Sequence, residues 1–339
     1  MPSFVCFKGF PALCLALKSS VKLMSASPKI SAVLPIFGNS GDLPRLINRL
    51  NSQTLKPQEI ILVNSSPKRL ENPPEGVRYV KNPENIGLAG DINLGSQSAT
   101  GDFILIVQQD CLPENDRALE ELYRDMTPER VAVACTVTLP QEIWEQYNFW
   151  GKILMARWVG DVNQGISDKF DLIRKDVFRK IDGYDMKHFS AVGQDQDLYL
   201  RLSQHGEVFV SRTRVLHFHN QSKKTSWKEL FTKQFQLAES FGVLFRKWRF
   251  QLRKAPYSGN WTHHVAKYLY PLLFVFPFAP KTVGIALLVL TNITYLEAWR
   301  VKSPKTLLML IFNPLLFLTG AVGTAVGLLS GRQRYSQDK

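Results

Sequence analysis

Short apolar runs alternate with helical patterns from about residue 29 to residue 218. Lys29–Phe37 and Glu59–Val63 each have the composition of a buried strand, and each is followed by a polar turn. Between them, leucine and isoleucine recur at helical spacing over Leu43–Leu50. Because strands that alternate with helices build βαβ units, this pattern predicts an α/β domain with a mostly parallel sheet. Further strands are predicted at Val77–Val80, from Phe103 onward, and at Val131–Val137, Phe170–Ile173, Glu207–Val210 and Val215–Phe218.

The stretch Phe103–Pro113 (FILIVQQDCLP) is the centre of this pattern. Its apolar start predicts a strand buried on both faces, and the strand turns polar at its carboxyl end. Gln108 and Asp110 are two residues apart and so share a face of an extended strand. Ligands of open α/β sheets bind at such carboxyl ends. Asp110 therefore has two interpretations, a turn or helix-capping residue and a ligand for a divalent cation that carries a diphosphate.

Two further groups of polar residues stand at element ends later in this region. Asp195 and Asp197 begin a predicted helix (GQDQDLYLRL), where acidic side chains favour the positive end of the helix dipole. Asp197 can also pair with Arg201 one turn later, so we predict a structural role for Asp197. His217 and His219 are two apart on a predicted strand and share a face. A buried, hydrogen-bonded histidine is the alternative interpretation for His219.

Composition and charge narrow the class of protein. Of the 339 residues, 45% are hydrophobic and 21% are charged, as in an ordinary globular protein, which excludes disorder as the main feature. The formal net charge of +13 indicates nucleic acid, an anionic membrane surface or phosphorylated substrates as partners. The four cysteines show no CxxC pair and fit a reducing compartment, which excludes a disulfide framework or a zinc site.

The composition changes after a capping-box pattern at Ser226–Glu229, which predicts the start of a helix. Basic and aromatic residues interleave from Phe245 to Lys254, which suits either nucleic acid or an anionic bilayer. Apolar segments follow at Tyr268–Pro280, Thr282–Leu296 and Thr306–Gly331, and the last is long enough to span a bilayer. We expect two or three membrane segments inserted from the cytoplasmic side, with the basic stretch on headgroups rather than on nucleic acid. The alternative is a buried helical subdomain of a soluble protein.

Five strings follow one another between about Lys29 and Lys247. They are ISAVLPIFGN, EIILVNSSP, NPENIGLAGDINLGSQSATGDFILIVQQD, KIDGYDMKHF with GQDQDLYLRL, and VLHFHNQS. In their order and spacing they resemble glycosyltransferase family 2, whose catalytic domain has the GT-A fold, and they look closest to its rhamnosyltransferase-like members.

The resemblance implies roles for residues at matching positions. Asp195 matches the catalytic base, Asp110 matches the last carboxylate of the DxD motif, and His217 matches a histidine that completes the metal site, with His219 as a further candidate. The implied donor-binding residues are Pro35, Phe37, Asn64, Asn85, Gly87, Asn93 and Gln108. The implied acceptor-binding residues are Trp144, Tyr147, Trp150 and Gln194. For the three aromatic residues among them, a place in the core is the alternative interpretation.

The chain departs from the family pattern at two acidic positions. Gln108 stands for the first Asp of DxD, so it offers a hydrogen bond to a ribose but no charge to a cation. Gln194 stands for the Glu before the base. The loss of that carboxylate predicts a pKa for Asp195 lower than in an acid pair. Asn64 stands where an Asp is common, which makes that contact with the donor a neutral one.

The resemblance implies an inverting glycosyltransferase that moves a sugar from a dTDP-, UDP- or GDP-linked donor to a lipid-linked or cell-surface polysaccharide, with Mg²⁺ or Mn²⁺. A polyprenyl-phosphate glycosyltransferase and a non-catalytic sugar-nucleotide-binding scaffold are the alternatives. We expect a plasma (inner) membrane protein with a cytoplasmic catalytic domain. The predicted organisation is a loose extension (1–28), the GT-A domain (29–222), amphipathic basic helices at the membrane interface (223–265), membrane-associated helices (266–331) and a basic tail (332–339).

Overall fold

The computed structural model describes residues 27–38, 42–67, 70, 72–83, 87–163, 165–190, 192–219, 224–256, 265, 267–270 and 288–333. The expected N-terminal extension lies almost entirely outside these ranges. So do most of the first predicted membrane segment and the start of the second.

Within these ranges, nine strands form one mixed sheet. They are β1 (Ile30–Ile36), β2 (Glu59–Asn64), β3 (Val77–Lys81), β4 (Phe103–Val107), β5 (Cys111–Pro113), β6 (Arg130–Leu139), β7 (Gly160–Val162), β8 (Phe170–Arg174) and β9 (Glu207–His217). The strand order is β3-β2-β1-β4-β8-β6-β9-β5, with β7 on β6. The β3-β2-β1-β4 half is parallel, as predicted, and β8 enters antiparallel between β4 and β6. The carboxyl ends of β1, β4, β6 and β9 and the amino end of β8 therefore share one edge.

Helices cover both faces of the sheet, because the central strands are buried at almost every position and alternate their side chains between two cores. Leu34, Leu62 and Leu105 belong to the core on one face, whereas Ile61 and Ile104 belong to the core on the other. The helices are α1 (Leu43–Asn51), α2 (Gly87–Ser98), α3 (Ala118–Arg124), α4 (Gln141–Glu145), α5 (Phe149–Met155), α6 (Lys175–Lys180), α7 (Gln194–Leu202), α8 (Trp227–Trp248) and α9 (Met309–Ser330).

Two boundaries differ from the sequence prediction. The central strand ends at Val107, and Gln108–Asp110 form a turn that leads into β5, so the alternation rule for an extended strand does not apply to Gln108 and Asp110. The two strands predicted between 207 and 218 are one continuous strand. The polar stretch Ser211–Arg214 concealed this, because its residues alternate between buried and exposed positions rather than forming an apolar run.

The C-terminal helices α8 and α9 lie side by side. A Cβ added at Gly323 would stand 2.7 Å from the carbonyl oxygen of Phe235, and one at Gly327 would overlap that of Glu239. Such close backbone approach is open only to glycine. Within the described residues, one helical segment, Pro304–Ser330, has the length and composition to cross a bilayer, and 44% of its most apolar window is buried.

Asp185 ties the carboxyl end of α8 to the catalytic domain. Its Oδ2 lies 2.6 Å from Lys247 Nζ and 2.6 Å from His188 Nδ1. Burial opposes ionisation, but these two partners lower the pKa of Asp185 to about 2. Because the folded-state pKa is depressed, this contribution to stability is present above the unfolded value near 3.8 and is lost as the pH falls toward 2.

We expect Asp185→Asn to lower the free energy of unfolding at pH 7 by roughly 2 kcal/mol, the equivalent of the pKa difference. The mutant should also lose less stability than the wild type between pH 4 and pH 2. Urea unfolding midpoints measured across this range check both statements. Parallel pH profiles of the two proteins would contradict the assignment.

Candidate functional site

Three metal-ligating side chains meet at the edge of the sheet where β5 and β9 pair. Cys111 is in register with His217, and the amide of Phe218 donates to the carbonyl of Asp110 at 3.1 Å. This pairing brings Asp110, His217 and His219 together, with one ligand atom from each within 4.8 Å of the others. The sequence-predicted metal residues therefore form one cluster. It lies at the carboxyl end of the parallel strands, as ligand sites of α/β sheets do.

The geometry of this cluster suits a divalent cation. Asp110 Oδ2 and His217 Nε2 are 3.1 Å apart, and the rings of His217 and His219 are separated by 3.5 Å between centroids. His219 reaches this position with a φ of 42°, beyond the end of β9, rather than by strand alternation. His217 is buried, and its Nδ1 has no hydrogen-bond partner among the described residues.

The protonation states also fit a metal ligand set. Burial lowers the pKa of both His217 and His219, so both imidazoles are neutral at pH 7. Burial also opposes ionisation of Asp110, but His217, His219 and Lys169 together hold the pKa of Asp110 well below its usual range. Metal ions bind neutral imidazole and ionised carboxylate, and these are the forms present.

Tyr147 is hydrogen-bonded to the backbone segment that carries the two histidines. Its hydroxyl donates to the carbonyl of Phe218, the residue between the two histidines. Burial, with a contribution from the charge of Asp110, raises the pKa of Tyr147, so the hydroxyl stays protonated as a donor. The sequence prediction assigned Tyr147 to the acceptor. The structure places it in the core, where it orients the His217–His219 segment.

We expect Tyr147→Phe to weaken the apparent affinity for the activating metal about tenfold, because partners that orient ligands typically contribute this much. Titration of activity with Mn²⁺ measures the change. Tyr123→Phe, in which a ring that packs edge-on against Phe103 loses its hydroxyl, is the matched control. Equal metal titrations for wild type and Tyr147→Phe would reject the role.

Asp195 lies in the first turn of α7. Gly193 precedes the helix with a φ of 86°, and a Cβ at this position would also meet Ser240 of α8 at 2.9 Å, so a glycine is required here. Burial raises the pKa of Asp195, partly offset by Lys169 and by the backbone N–H of Gln196, which donates to Asp195 Oδ1 at 2.8 Å. A carboxylate whose pKa is raised toward neutrality is a suitable general base.

A second carboxyl group stands beside Asp195, although the sequence indicated none. Asp168, which lies in a left-handed turn with a φ of 65°, is buried and accepts a hydrogen bond from the Tyr184 hydroxyl. Burial and the charge of Asp195 raise the pKa of Asp168 to about 8. The sequence indicated that Gln194 replaces the second carboxyl group beside the base. Asp168, in the turn before β8, supplies such a group instead. The expectation that the pKa of Asp195 is lower than in an acid pair stays a prediction, and burial raises this pKa above its ordinary value.

Lys169 connects the metal cluster with Asp195. It directly precedes β8, whose first residue, Phe170, pairs with Val107 at the end of β4. Its ammonium group interacts electrostatically with both Asp110 and Asp195. Burial opposes the charge, but the surrounding acidic groups raise the pKa of Lys169, so it remains a cation. Asp110 and Asp195 therefore share an electrostatic interaction with one positive charge, that of Lys169.

The predicted donor-binding residues differ in how far their side chains are exposed. Phe37 is 50% exposed, whereas Pro35 is buried in β1. Gln109 clamps Phe37 by accepting from its N–H and donating to its carbonyl, both at 3.2 Å. An exposed aromatic ring on a fixed backbone offers a stacking surface for a nucleobase. Gln108 is half-buried in the turn after β4.

Other predicted donor-binding residues form hydrogen bonds with groups of the protein itself. The amide of Asn64 donates to the Tyr79 hydroxyl at 3.0 Å and accepts from the Ser66 N–H at 2.8 Å. Asn93 bonds both the N–H and the carbonyl of Tyr184. These contacts shape the turns of the site, and direct contacts of both residues with the donor stay predictions. Gly87 begins α2 with a φ of 76°, and Asn85 lies outside the described residues.

Two of the predicted acceptor aromatics fill a core between the catalytic domain and the C-terminal helices. Trp144 is buried, and its indole N–H donates to the carbonyl of Lys152 at 3.0 Å. Trp150 packs against Phe312 of α9, with ring centroids 5.1 Å apart. The contacts of Trp144 and Trp150 therefore agree with the alternative interpretation, in which both are core residues. Gln194 is buried at the start of α7, and its Oε1 has no hydrogen-bond partner among the described residues.

Sequence reasoning missed four residues that shape the site: Asp168, Lys169, Asp171 and Gln333. The string SDKFD that contains the first three is a sequence signal, since charges flank a predicted buried strand. Asp171, fully buried in β8, accepts from the N–H groups of Ser167 and Asp168 and so fixes this turn. Gln333 carries no such signal, because its partners are backbone groups distant in sequence.

Comparison with known proteins gives consistent results. Residues 31–182 match the family model for Glycosyl transferase family 2. The O-antigen chain rhamnosyltransferase WbaN of Salmonella anatum is 24% identical over 225 residues, which covers 60% of this chain and 70% of that protein. The O-antigen chain rhamnosyltransferase RfbN of Salmonella typhimurium is 21% identical over 229 residues, with the same coverage of each chain.

A solved structure extends the likeness to nearly the whole chain. The mannosyltransferase PcManGT from Pyrobaculum calidifontis, in complex with GDP-Man and Mn²⁺, superposes with a TM-score of 0.55 at 15% identity. The match covers 96% of each chain. Together with the family match, this confirms the GT-A fold that the sequence predicts.

Proposed function

The chain carries a glycosyltransferase family 2 domain, and from this premise we propose that the protein transfers a hexose, by inversion, from a nucleoside diphosphate sugar to a lipid-linked or cell-surface polysaccharide. The observation that carries the proposal is the Asp110–His217–His219 cluster, whose Asp110 shares an electrostatic interaction with Lys169, as Asp195 does. Sugar transfer needs a cationic site for the leaving diphosphate and a base for the attacking hydroxyl. The metal cluster and Asp195 meet these two needs.

Asp195 acts as the base in this proposal. It accepts the proton of the acceptor hydroxyl as the oxygen attacks the anomeric carbon. Asp168 does not compete as a nucleophile, because its raised pKa keeps it protonated at pH 7 and it is buried. A single carboxylate base without a carboxylate nucleophile supports one displacement step and therefore inversion at the anomeric carbon. The half-buried position of Asp195 also limits the access of water, which would otherwise hydrolyse the donor.

The metal cluster is the site of the leaving nucleoside diphosphate in this proposal. Asp110, His217 and His219 would hold a divalent cation, which supplies neutralisation of the diphosphate charge. Lys169, which interacts electrostatically with Asp110, would help the cation to neutralise the diphosphate, whereas Gln108 brings no carboxylate to hold the cation. We propose Mn²⁺ rather than Mg²⁺, because two imidazoles and one carboxylate suit a first-row transition metal better than Mg²⁺, which prefers oxygen ligands.

Three observations support the choice of donor and acceptor. The relatives WbaN and RfbN are O-antigen rhamnosyltransferases, and PcManGT was solved with GDP-Man. We therefore propose dTDP-rhamnose or GDP-mannose as the donor and a lipid-linked glycan as the acceptor. The basic, apolar C-terminal region supports a location at the cytoplasmic face of the plasma membrane. Polyprenyl phosphate is the alternative acceptor that the same region suits.

A donor screen tests the proposal. Release of nucleoside diphosphate is measured for dTDP-, UDP- and GDP-sugars with Mn²⁺, in the presence of a lipid-linked glycan pool or of polyprenyl phosphate. We expect acceptor-dependent release with one donor and the lipid-linked glycan. Release only with polyprenyl phosphate would move the acceptor to the alternative. Binding of donors without any turnover would identify a scaffold instead and overturn the proposal.

A further inference from the structure

One face of α9 is apolar and is not covered by any of the described residues, although the helix is firmly packed on its other face. Residues on the packed face, such as Asn313, Phe317 and Thr324, are buried. On the opposite face, apolar side chains that are 43–80% exposed recur every three or four residues. These are Leu307, Leu308, Leu310, Ile311, Leu315, Leu318, Val322 and Leu329, counted with the turn that enters the helix. A soluble surface of this size normally carries polar residues.

The packed face fixes α9 to α8 along most of its length. Leu230 of α8 shares a core with Met309 and Leu316, and farther along Arg246 donates to the carbonyls of Leu328 and Leu329 at 2.9 and 2.6 Å. The contact thus follows α8 from residue 230 to residue 246, about 24 Å of helix. The glycines of α9 bring the two backbones together in the middle of this contact. The two helices therefore occupy the same depth relative to any surface they bind.

α8 cannot enter the hydrocarbon core of a bilayer. Its first turns expose Lys228, Glu229 and Lys233, and its middle packs through Ser240 on Gly193, next to Asp195. Charged side chains and a soluble catalytic domain are both excluded from the membrane interior. If α9 crossed the bilayer, its partner would have to enter with it. Length and composition allow α9 to span, but its packing does not.

Basic residues border the apolar face. Arg300, Lys302 and Lys305 are exposed just before α9, and Arg332 is exposed just after it. An apolar helix face with a basic border is complementary to an anionic bilayer surface, where the apolar side chains enter the acyl boundary and the cations contact headgroups. The same charge pattern does not suit a second copy of this chain, because both copies would bring positive borders together.

We propose that α9 lies flat in the surface of an anionic bilayer, with its axis parallel to the membrane plane. We call this position of α9 the seat, and we propose that it holds the active site at the membrane. The end of α9 is bonded to the loop before the catalytic base. Gln333 Oε1 accepts from the Ser190 N–H at 2.8 Å, and Gln333 Nε2 donates to the Val192 carbonyl at 2.7 Å. A lipid-linked acceptor would then arrive within one helix layer of Asp195. This last point rests on the proposed function, whereas the seat does not.

Vesicle flotation of the full chain tests the seat. We expect binding to vesicles of phosphatidylcholine with phosphatidylglycerol, and at least tenfold weaker binding to phosphatidylcholine alone. Ile311→Glu with Val322→Glu should reduce binding at least tenfold. Asn51→Glu with Gln97→Glu, which adds the same charge at exposed positions far from α9, should not. An unchanged melting temperature verifies folding. Unaltered vesicle binding of the first variant, or a change in its oligomeric state alone, would overturn the proposal.

Cysteine labelling separates a flat helix from a spanning one. Ser303→Cys and Ser330→Cys are placed one at a time at the two ends of α9, in a chain that carries Cys6→Ser and Cys14→Ser; Cys111 and Cys135 are buried. With a membrane-impermeant maleimide added to the protein side of sealed vesicles, a flat helix leaves both positions reactive. Protection of one position until detergent is added would show a spanning helix. Turnover of a soluble acceptor is measured in parallel, so that loss of the seat is distinguished from failure of the proposed activity.

Discussion

Asp195→Asn is expected to lower glycosyl transfer by about 10²- to 10⁴-fold while the protein still binds the nucleotide-sugar, since general base catalysis contributes this much. The amide keeps the shape of the side chain at the start of α7 but cannot accept a proton. Burial raises the pKa of Asp195, so wild-type activity should fall as the pH drops below this raised value. Transfer rates and donor affinity, measured separately across pH, check both statements.

Asp168→Asn is the matched control for this substitution. Asp168 has a pKa of about 8 and is protonated at pH 7, so an amide resembles the form already present. The variant should keep most of its activity at pH 7, although it removes a carboxyl group beside the same base. If Asp168→Asn lost as much activity as Asp195→Asn, or if Asp195→Asn remained active, the assignment of the base would be incorrect.

Loss of the cation site is expected to have an effect of similar size. Chelation should reduce transfer at least a hundredfold, because a bound cation contributes several kcal/mol to stabilisation of the leaving diphosphate. Asp110→Asn should reproduce this loss at limiting Mn²⁺, since the ionised carboxylate is the anionic member of the cluster. Activity measured against Mn²⁺ concentration, after treatment with a chelator, gives both results.

Asp116→Asn provides a surface control for the metal experiment. Asp116, in the turn after β5, pairs with Arg49 of α1 at 2.7 Å at an exposed position, and its loss should leave the metal titration unchanged. Mn²⁺ should restore the chelated wild type but not Asp110→Asn. Full activity in the presence of chelator would remove the metal from the mechanism and leave Lys169 as the cation facing the diphosphate.

Much of the fold followed from periodicity along the chain. The apolar strands, their carboxyl ends and the alternation with helices predicted the parallel half of the sheet, because buried parallel strands are apolar on both faces. The position of Asp110 just after the central strand also predicted its place at the sheet edge. Its meeting with His217 followed from the family resemblance and is seen in the β5–β9 pairing.

Other features depended on contacts between distant residues. Tyr147 matched an acceptor position in sequence, yet its hydroxyl meets the carbonyl of Phe218, 71 residues away. The polar interior of β9 obscured a single strand, because β9 pairs with β6 and β5 and buries every second side chain there. Periodicity reports which face of an element is buried, but it does not identify the element that covers this face.

By itself, the sequence determined the α/β class, the resemblance to glycosyltransferase family 2, the carboxylate after the central strand and the apolar character of the C-terminal region. Tertiary structure decided that Asp168 returns a carboxyl group to Asp195, that Lys169 faces both ends of the site, and that α9 is bound along its length to a helix with charged side chains. The physical reason is that local patterns record burial and secondary structure, whereas the pKa of a carboxyl group and the depth of a helix depend on neighbours that only the fold brings together.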